Sequence, residues 1–330
     1  MTYRICVIEG DGIGREVVPA AVAVLEALRL PLRFESARAG FACYRETGDP
    51  IPEATIAACR EADAVLFGAV TTPPDIPGYR SAIVTLRREL DLYANIRPVR
   101  SLGVPGFREG IDLVIVRENT EGLYSGQEED HGDIAIARRV ITRRGSERIA
   151  RAAFDLARRE GRRQVTIVHK ANVLRQTCGL FRRTALAVAE GYPEIAVDEM
   201  LVDAMAMRLI RDPERFSVVV TTNLFGDILS DEAAMLVGGL GLAAAGNVGE
   251  QGAVFEPVHG SAPDIAGKGV ANPLAAILAA GMMLSHLGEV EAAGRIDAAV
   301  AGAIARGVLP PDLGGSATTA AVTAAVLADL

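Results

Sequence analysis

Short buried strands alternate with amphipathic helices along most of the chain, and this alternation constrains the fold more than any other feature. β-branched apolar runs that are typical of strands occur at residues 5–8, 63–70, 112–119, 163–172 and 216–223. Segments with helical periodicity separate them, such as residues 146–160, and the chain after residue 272 is alanine-rich and helical. Strands that alternate with helices in this way predict an α/β protein with a mostly parallel sheet.

Length and composition narrow the class further. The 330 residues suffice for one large or two ordinary domains, and a net charge of −8 argues against a general nucleic-acid binder. The mean hydropathy is +0.24, but the longest apolar runs (233–246 and 273–284) are too short to span a membrane. The first residues lack the pattern of a signal peptide. We therefore expect a cytoplasmic protein, without a nucleic-acid or membrane partner, whose four cysteines are reduced.

The balance between lysine and arginine singles out two positions. Among 34 basic residues only Lys170 and Lys268 are lysines. A genome biased towards arginine explains most of the arginines. Because an arginine cannot lose its proton in a protein whereas a buried lysine can, both lysines are candidates for proton transfer.

A glycine-rich turn, Gly10-Asp11-Gly12-Ile13-Gly14, follows the first predicted strand. The dinucleotide fingerprint GxGxxG requires glycine at position 15, where this chain has Arg15. The turn allows close approach of a ligand, but it does not predict an ordinary Rossmann site. No P-loop motif is present either, because Gly267-Lys268-Gly269 does not complete one.

Two carboxylates lie four residues apart in a predicted helix. Asp227 and Asp231 share one helix face, and carboxylates at this spacing repel one another. A divalent cation would make the pair favourable, and oxygen ligands without a nearby histidine favour Mg²⁺ or Mn²⁺ over zinc. The alternative is a solvated acidic face.

Three arginines lie at or next to the ends of predicted elements: Arg87, Arg97 and Arg117. Guanidinium groups bind carboxylates through paired hydrogen bonds, so converging arginines suit a di- or tricarboxylate substrate. In a chain this rich in arginine, ordinary surface charge is the competing interpretation. Tyr124 is one of six tyrosines and is by itself compatible with packing or with proton donation.

Six segments in order resemble the NAD(P)-dependent β-decarboxylating dehydrogenases, a family that acts on isocitrate, 3-isopropylmalate, homoisocitrate and tartrate or malate. They are IEGDGIG, YANIRP, RENTEGLY, HKANV, TTNLFGDILSDEAA and FEPVHGSAPDIAGKGVANP. The resemblance covers nearly the whole chain. It implies the isocitrate/isopropylmalate dehydrogenase-like fold, with two interleaved α/β domains and no Rossmann fold.

The resemblance also implies domain limits. Residues 1–98 and 250–330 would form a large cofactor-binding domain, and residues 99–249 a small domain that carries the metal site and the dimer interface. Residues 125–145 would be an arm that pairs with a second subunit, although their pattern alone fits an ordinary surface hairpin equally well. The protein would be a homodimer or tetramer with an active site shared between subunits.

In this family a (2R)-hydroxy acid with a 3-carboxylate is oxidised and loses CO₂, and the resemblance assigns each role to a residue. Lys170 would accept the hydroxyl proton and Tyr124 would protonate the enol. Arg87, Arg97 and Arg117 would bind the carboxylates, with Asn172 beside them. Asp227 and Asp231 would hold Mg²⁺ or Mn²⁺ together with Asp203 of a neighbouring subunit, which would also supply Lys170. An isolated monomer would then be inactive.

The cofactor and the substrate follow from two further segments. The cofactor-binding residues implied by the resemblance are Thr71, Thr72, His259, Gly260, Ser261, Ala262, Asp264, Ile265 and Asn272. The acidic Asp264 favours NAD over NADP, since a carboxylate accepts hydrogen bonds from a ribose hydroxyl and repels a 2′-phosphate.

Specificity in the family resides in the helix that here contains Ser81 and Val84. Some homoisocitrate enzymes have arginine where Val84 stands, and Val84 with Ile83 leans towards isopropylmalate. The remaining segments resemble the bacterial homoisocitrate enzymes most. We therefore expect conversion of homoisocitrate to 2-oxoadipate in lysine biosynthesis, with isocitrate as an additional substrate. The alternatives are 3-isopropylmalate oxidation in leucine biosynthesis and, more remotely, a non-catalytic regulatory subunit.

Overall fold

A computed structural model describes residues 2–76 and 78–330. Its strands, numbered in chain order, are β1 (Tyr3–Gly10), β2 (Leu32–Ser36), β3 (Ala64–Ala69), β4 (Ala94–Arg100), β5 (Asp112–Glu118), β6 (Glu128–Asp130), β7 (Ala135–Ala137), β8 (Gln164–His169), β9 (Ala196–Leu201), β10 (Val218–Thr221), β11 (Ala244–Val248) and β12 (Ala253–Pro257). Its α-helices are α1 (Gly14–Ala27), α2 (Phe41–Thr47), α3 (Glu53–Glu61), α4 (Ala82–Glu89), α5 (Arg143–Arg159), α6 (Thr177–Ala189), α7 (Val202–Arg211), α8 (Asn223–Met235), α9 (Leu274–His286), α10 (Val290–Ala305) and α11 (Thr319–Ala328).

The chain divides into two compact units that are interleaved in sequence. The first unit comprises Met1–Leu92, Leu102–Glu109 and Gly238–Leu330. Its strands run in the order β2-β1-β3-β12-β11, all parallel except for the antiparallel pair β11 and β12. Apolar side chains of α1, α9, α10 and α11 form one core cluster of this unit, and residues of α3 and α4 contribute to another.

The second unit comprises Tyr93–Ser101 and Gly110–Val237. Its main strands run in the order β4-β5-β10-β8-β9, parallel except for the antiparallel pair β4 and β5. Apolar side chains of α5 and α6 form one of its core clusters, and those of α7 and α8 contribute to the other. The strongly amphipathic α5 is preceded by its N-cap residue Thr142, whose side chain accepts a hydrogen bond from the Gly145 amide.

A short hairpin projects its side chains into solvent. Strands β6 and β7 pair with each other, and Ile134 and Ile136 are exposed. Within one chain this segment forms a hairpin at the surface, which is compatible with both interpretations of its pattern, and its role as a dimer arm stays a prediction.

The α/β fold class predicted from the sequence is confirmed, while the units divide the chain at other positions than the predicted limits. A limit at 98/99 would cut β4, which pairs with β5 along its whole length. A limit at 249/250 would separate β11 from β12, although both belong to the first unit. Within residues 2–76 and 78–330, no helix combines the length and the apolar character needed to cross a membrane.

Candidate active site

Two neighbouring antiparallel strands of the second unit position two of the predicted arginines. Arg97 lies on β4 and Arg117 on β5, where Asn95 is the register partner of Arg117. The Oδ1 atom of Asn95 accepts a hydrogen bond of 2.8 Å from Nε of Arg97. Arg117 is only 1% exposed, so its charge must be satisfied by protein groups.

Asp227, in the first half of α8, is where the predicted groups converge. Its Oδ1 accepts a hydrogen bond from Nη1 of Arg117 and lies 3.4 Å from Nη2 of Arg97. Its Oδ2 accepts a hydrogen bond from the Tyr124 hydroxyl. One turn further along the helix, Oδ1 of Asp231 lies 2.9 Å from Nη1 of Arg97. The structure therefore brings together five predicted residues, with Arg97, Arg117 and Tyr124 around the two carboxylates.

The close approach of Arg117 to α8 depends on its immediate neighbours. The Oδ1 atom of Asn223 accepts hydrogen bonds from both Nε and Nη2 of Arg117, at 2.9 and 2.7 Å. A Cβ atom at Gly226 would lie 2.6 Å from Cγ of Arg117, so only glycine lets the arginine chain pass the helix. Asn223 and Gly226 thus accommodate the buried guanidinium of Arg117 beside α8.

The surroundings change the acidity of the two groups beside the arginines. Burial, followed by the hydrogen bond to Asp227, raises the pKa of Tyr124 above its ordinary value. The guanidinium of Arg117 lies 5.0 Å from the centre of the Tyr124 ring. Burial also raises the pKa of Asp231, against the opposing effect of Arg97. Tyr124 is therefore held as a protonated hydroxyl, the form that a proton donor needs.

Lys170 and Asp203 form a separate pair in the same unit. Nζ of Lys170 donates a hydrogen bond of 2.6 Å to Oδ1 of Asp203, and this contact lowers the pKa of the carboxyl group. Their side chains are 24% and 63% exposed. Asn172 lies exposed in the turn after β8, two residues beyond Lys170. The pair presents an amine and a carboxylate towards solvent.

The donor set fits a divalent cation only in part within one chain. Across the described residues 2–76 and 78–330, no group of three acidic, histidine or cysteine side chains is close enough to hold a metal ion. Asp227 and Asp231 offer carboxylate oxygens on one helix face, which is the chemistry that Mg²⁺ and Mn²⁺ prefer. Their arginine partners show that this face is more than a solvated acidic surface. A complete site needs further oxygen ligands.

In the first unit, the glycine turn at 10–14 packs against the predicted cofactor loop. The Ile13 amide donates to the carbonyl of Ser261 at 2.9 Å, and a Cβ at Gly12 would lie 1.9 Å from that oxygen. The Thr71 and Ser261 hydroxyls are 2.6 Å apart. The next residue, Ala262, has a φ of +37°, a backbone conformation that is strained for a residue with a Cβ. Predicted cofactor residues from distant parts of the chain therefore meet here.

The other predicted cofactor residues of this loop differ in exposure and in their hydrogen-bond partners. Nε2 of His259 is buried without a hydrogen-bond partner, and burial lowers the pKa of the ring. An unpaired buried nitrogen of this kind fits a site that a polar ligand completes. Gly260 and Asp264 are exposed and Ile265 is half-buried. Asn272 is buried and engaged, because it accepts from the Leu274 amide and donates to Asp312.

Other predicted residues of the first unit lie on or near α4. Ser81 precedes the helix, and Val84 in its first turn is half-buried, whereas Thr72 is exposed. Nη2 of Arg87 donates to Oε1 of Glu256 at 2.9 Å, and Nε of Arg87 is buried without a partner. Arg87 is therefore held in place, with donor capacity left for a ligand.

Sequence reasoning missed the residues that orient the predicted ones. The buried carboxylate of Asp11 accepts hydrogen bonds from three backbone amides, those of Phe41, Ala42 and Thr71, at 2.7 to 2.9 Å. Glu256 accepts from Arg87 and from Asn247. The signal that could have pointed to Asp11 is its place between two glycines, where a short acidic side chain can cap nearby backbone groups.

The chain is similar over almost its whole length to known dehydrogenases. The profile of the isocitrate/isopropylmalate dehydrogenase family matches residues 4–327. The isocitrate/homoisocitrate dehydrogenase of Thermus thermophilus is 58% identical over 328 residues, which cover 99% of this chain and 98% of that protein. The 3-isopropylmalate dehydrogenase of Archaeoglobus fulgidus is 54% identical, covering 96% of each chain. The crystal structure of isocitrate dehydrogenase from Methylococcus capsulatus matches with a TM-score of 0.96 and 48% identity over 99% of both chains.

The family match and these relatives show that the chain is a β-decarboxylating dehydrogenase. The chain belongs to the isocitrate/isopropylmalate dehydrogenase family. The family resemblance and the fold class predicted from the sequence are confirmed.

Proposed function

We propose that this enzyme converts homoisocitrate to 2-oxoadipate in lysine biosynthesis, accepts isocitrate as well, and uses NAD with Mg²⁺ or Mn²⁺. The observation that carries the chemistry is the convergence of Arg97, Arg117 and Tyr124 on Asp227. Guanidinium groups bind the substrate carboxylates, and the Tyr124 hydroxyl, whose pKa is raised, keeps a proton available for the enol carbon. Arg87 and Asn172 complete the carboxylate contacts in this proposal.

Asp227 and Asp231 would hold the divalent cation, which when bound stabilises negative charge on the substrate oxygen. Their two carboxylates leave the ion short of ligands within one chain, so we assign a third to Asp203 of a second copy. Lys170 accompanies Asp203 and accepts the proton of the substrate hydroxyl. A lysine suits this role where arginine does not, because its amine can lose a proton.

A second copy of the chain is the partner that we propose. Large apolar side chains of the second unit are exposed in one chain; they are Ile134, Ile136, Val173, Met207, Ile210, Ile228 and Met235. Several of them flank proposed functional residues, since Ile228 adjoins Asp227 and Val173 lies close to Lys170 in sequence. Exposed apolar surface of this extent favours burial by another subunit, in a dimer or a tetramer.

The exposed carboxylate of Asp264 favours NAD, because it accepts hydrogen bonds from a ribose hydroxyl and would repel the 2′-phosphate of NADP. Thr71, Thr72, His259, Gly260, Ser261, Ala262, Ile265 and Asn272 complete the proposed cofactor contacts. The unpaired Nε2 of His259 and the strained Ala262 support a ligand at this loop. Asp264→Lys should reduce kcat/KM for NAD about tenfold and improve use of NADP. Unchanged kcat/KM for NAD would contradict the ribose contact.

The substrate preference is tested by kcat/KM for homoisocitrate, isocitrate and 3-isopropylmalate with the purified protein, NAD and Mg²⁺. We expect homoisocitrate to be preferred, as the name of the Thermus thermophilus relative suggests. A preference of about tenfold or more for 3-isopropylmalate, equal to about 1.4 kcal/mol, would reject this choice in favour of the alternative that the Archaeoglobus fulgidus relative supports. Absence of turnover with all three would favour a regulatory subunit.

A further inference from the structure

The turn that carries Lys170 begins at a buried histidine with two hydrogen bonds. His169 ends β8 and is 6% exposed. Its Nδ1 lies 3.2 Å from the backbone nitrogen of Ala171, and its Nε2 lies 3.3 Å from Oε2 of Glu199 on β9. The imidazole therefore bridges the end of one strand and the neighbouring strand.

These contacts determine the tautomer of the ring. A backbone N–H can only donate, so Nδ1 of His169 must accept and carries no proton. Nε2 then holds the proton and donates it to the carboxylate of Glu199. The ring is neutral in this arrangement, and burial lowers its pKa in the same direction. Arg182 on α6 holds the far side of Glu199 by two hydrogen bonds, so the acceptor itself is fixed.

The fixed backbone amide is the one directly after Lys170. The carbonyl group of Lys170 belongs to the same peptide group and accepts hydrogen bonds from the Val173 and Leu174 amides, which closes the turn. The peptide group that follows Lys170 is therefore held at its N–H and at its carbonyl, and Nζ of Lys170 lies 2.6 Å from Oδ1 of Asp203. Movement of the turn by about 1 Å would be enough to spoil a proton transfer.

We propose that His169, in its Nε2-protonated tautomer, is a positioning residue that orients Lys170 for the reaction. The proposal rests on the proton-transfer role proposed above for Lys170. His169 contacts neither substrate nor cofactor in this scheme; it acts through the Ala171 amide.

Two substitutions separate the two hydrogen bonds. In His169→Asn the side-chain oxygen can take the position of Nδ1 and accept from Ala171, while the bond to Glu199 is lost. In His169→Gln the side-chain amide can donate to Glu199, while the acceptor for the Ala171 amide is lost. We expect kcat to fall about tenfold in the Gln variant, with KM for NAD and substrate unchanged, and most of kcat to remain in the Asn variant. A merely structural histidine would give equal losses in both, together with a lower Tm.

The orientation of Lys170 can be measured without catalysis, because the chain has only two lysines. Acetylation of the full-length enzyme, followed by peptide mass spectrometry, gives the labelling rate of Lys170 relative to Lys268. We expect this ratio to rise about threefold in His169→Gln, as expected for release of an ion pair with Asp203, and to stay unchanged in His169→Asn. An unchanged ratio in the Gln variant would overturn the proposal.

Two further outcomes remain distinct. A raised ratio with unaltered kcat would uphold the positioning of the turn and contradict proton transfer by Lys170. If the Gln variant does not fold, the nitrogen NMR signals of the imidazole in the unmodified protein decide. Protonation at Nε2 alone at neutral pH supports the proposal, and protonation at Nδ1 overturns it.

Discussion

The two acidic parts of the proposed site are built in opposite ways. Asp227 is enclosed by Arg97, Arg117 and Tyr124, and the side chain of Arg117 is 2% exposed. Asp203 has one charged partner, Lys170, and its side chain is 63% exposed. The carboxylate of Asp227 has its partners within one chain, whereas the second arrangement presents its groups outwards. Because the Asp227 cluster is largely buried, we expect its interactions to contribute to the free energy of unfolding. The Lys170–Asp203 pair is more exposed, so we expect its loss to affect activity and not stability.

The largest expected effect concerns the exposed pair. Lys170→Arg keeps the charge but removes the capacity to accept a proton, so kcat should fall about 1,000-fold. Tm should remain within about 1 °C, because an exposed ion pair contributes little to stability. Steady-state kinetics and thermal unfolding of the same preparation check both statements. Near-normal turnover would contradict the proton-transfer role of Lys170, and with it the statement that the exposed pair serves activity.

Tyr124→Phe tests the enclosed cluster by removing a single hydroxyl. We expect kcat to fall about 100-fold, since the proposed proton donor is lost while the ring still packs against Arg117. Enzyme-catalysed exchange of the product's protons with solvent deuterium, followed by NMR, should slow in parallel. Exchange at the original rate would assign protonation to another group.

The difference in stability between the two carboxylates is the direct test of the comparison. Asp227→Asn removes a counter-charge from the buried guanidinium of Arg117 and should lower the free energy of unfolding by about 2 kcal/mol. Asp203→Asn should leave it nearly unchanged, because the carboxylate is exposed to solvent. Urea unfolding of both variants, at equal protein concentration because of the proposed dimer, measures the two values. Equal losses would show that the pair is as important for folding as the cluster.

The smallest expected effect is a pH dependence. The hydrogen bond from Lys170 lowers the pKa of Asp203 in the folded protein. A lowered folded-state pKa stabilises the protein above the unfolded-state pKa, and this stabilisation disappears as the pH falls through the folded value. The small difference in Tm between the unmodified protein and Asp203→Asn should therefore be constant from pH 7 to about 5 and shrink only below about pH 4. A difference that vanished already near pH 6 would point to another titrating group.

Much of the fold could be predicted from local pattern. β1 contains the continuous apolar run at residues 5–8, β3 is apolar throughout, and α5 has the periodicity of a helix that buries one face. β9 was not singled out, because its side chains are exposed or half-buried and lack a continuous apolar run. An apolar run in the sequence marks a buried strand, and an exposed strand at the edge of a sheet has no such run.

The site was predictable where one short segment carries the chemistry and not where distant residues must meet. Asp227 and Asp231 are separated by one helical turn, so their shared face follows from helix geometry. Asn223 meets Arg117 across 106 positions of the chain, and Glu256 meets Arg87 across 169. Spacing predicts nothing about such pairs, since only the tertiary fold brings them into contact.

The interleaving of the two units has a consequence for how the protein is made. The second unit ends at Val237, whereas the first requires Gly238–Leu330 as well as the opening residues. Helix α1 packs against α9 and α11, which are synthesised after the second unit. The apolar face of α1 therefore has to wait for these helices to emerge from the ribosome, while the second unit, which is synthesised between them, can already fold. Chaperone dependence during synthesis should accordingly centre on the N-terminal segment.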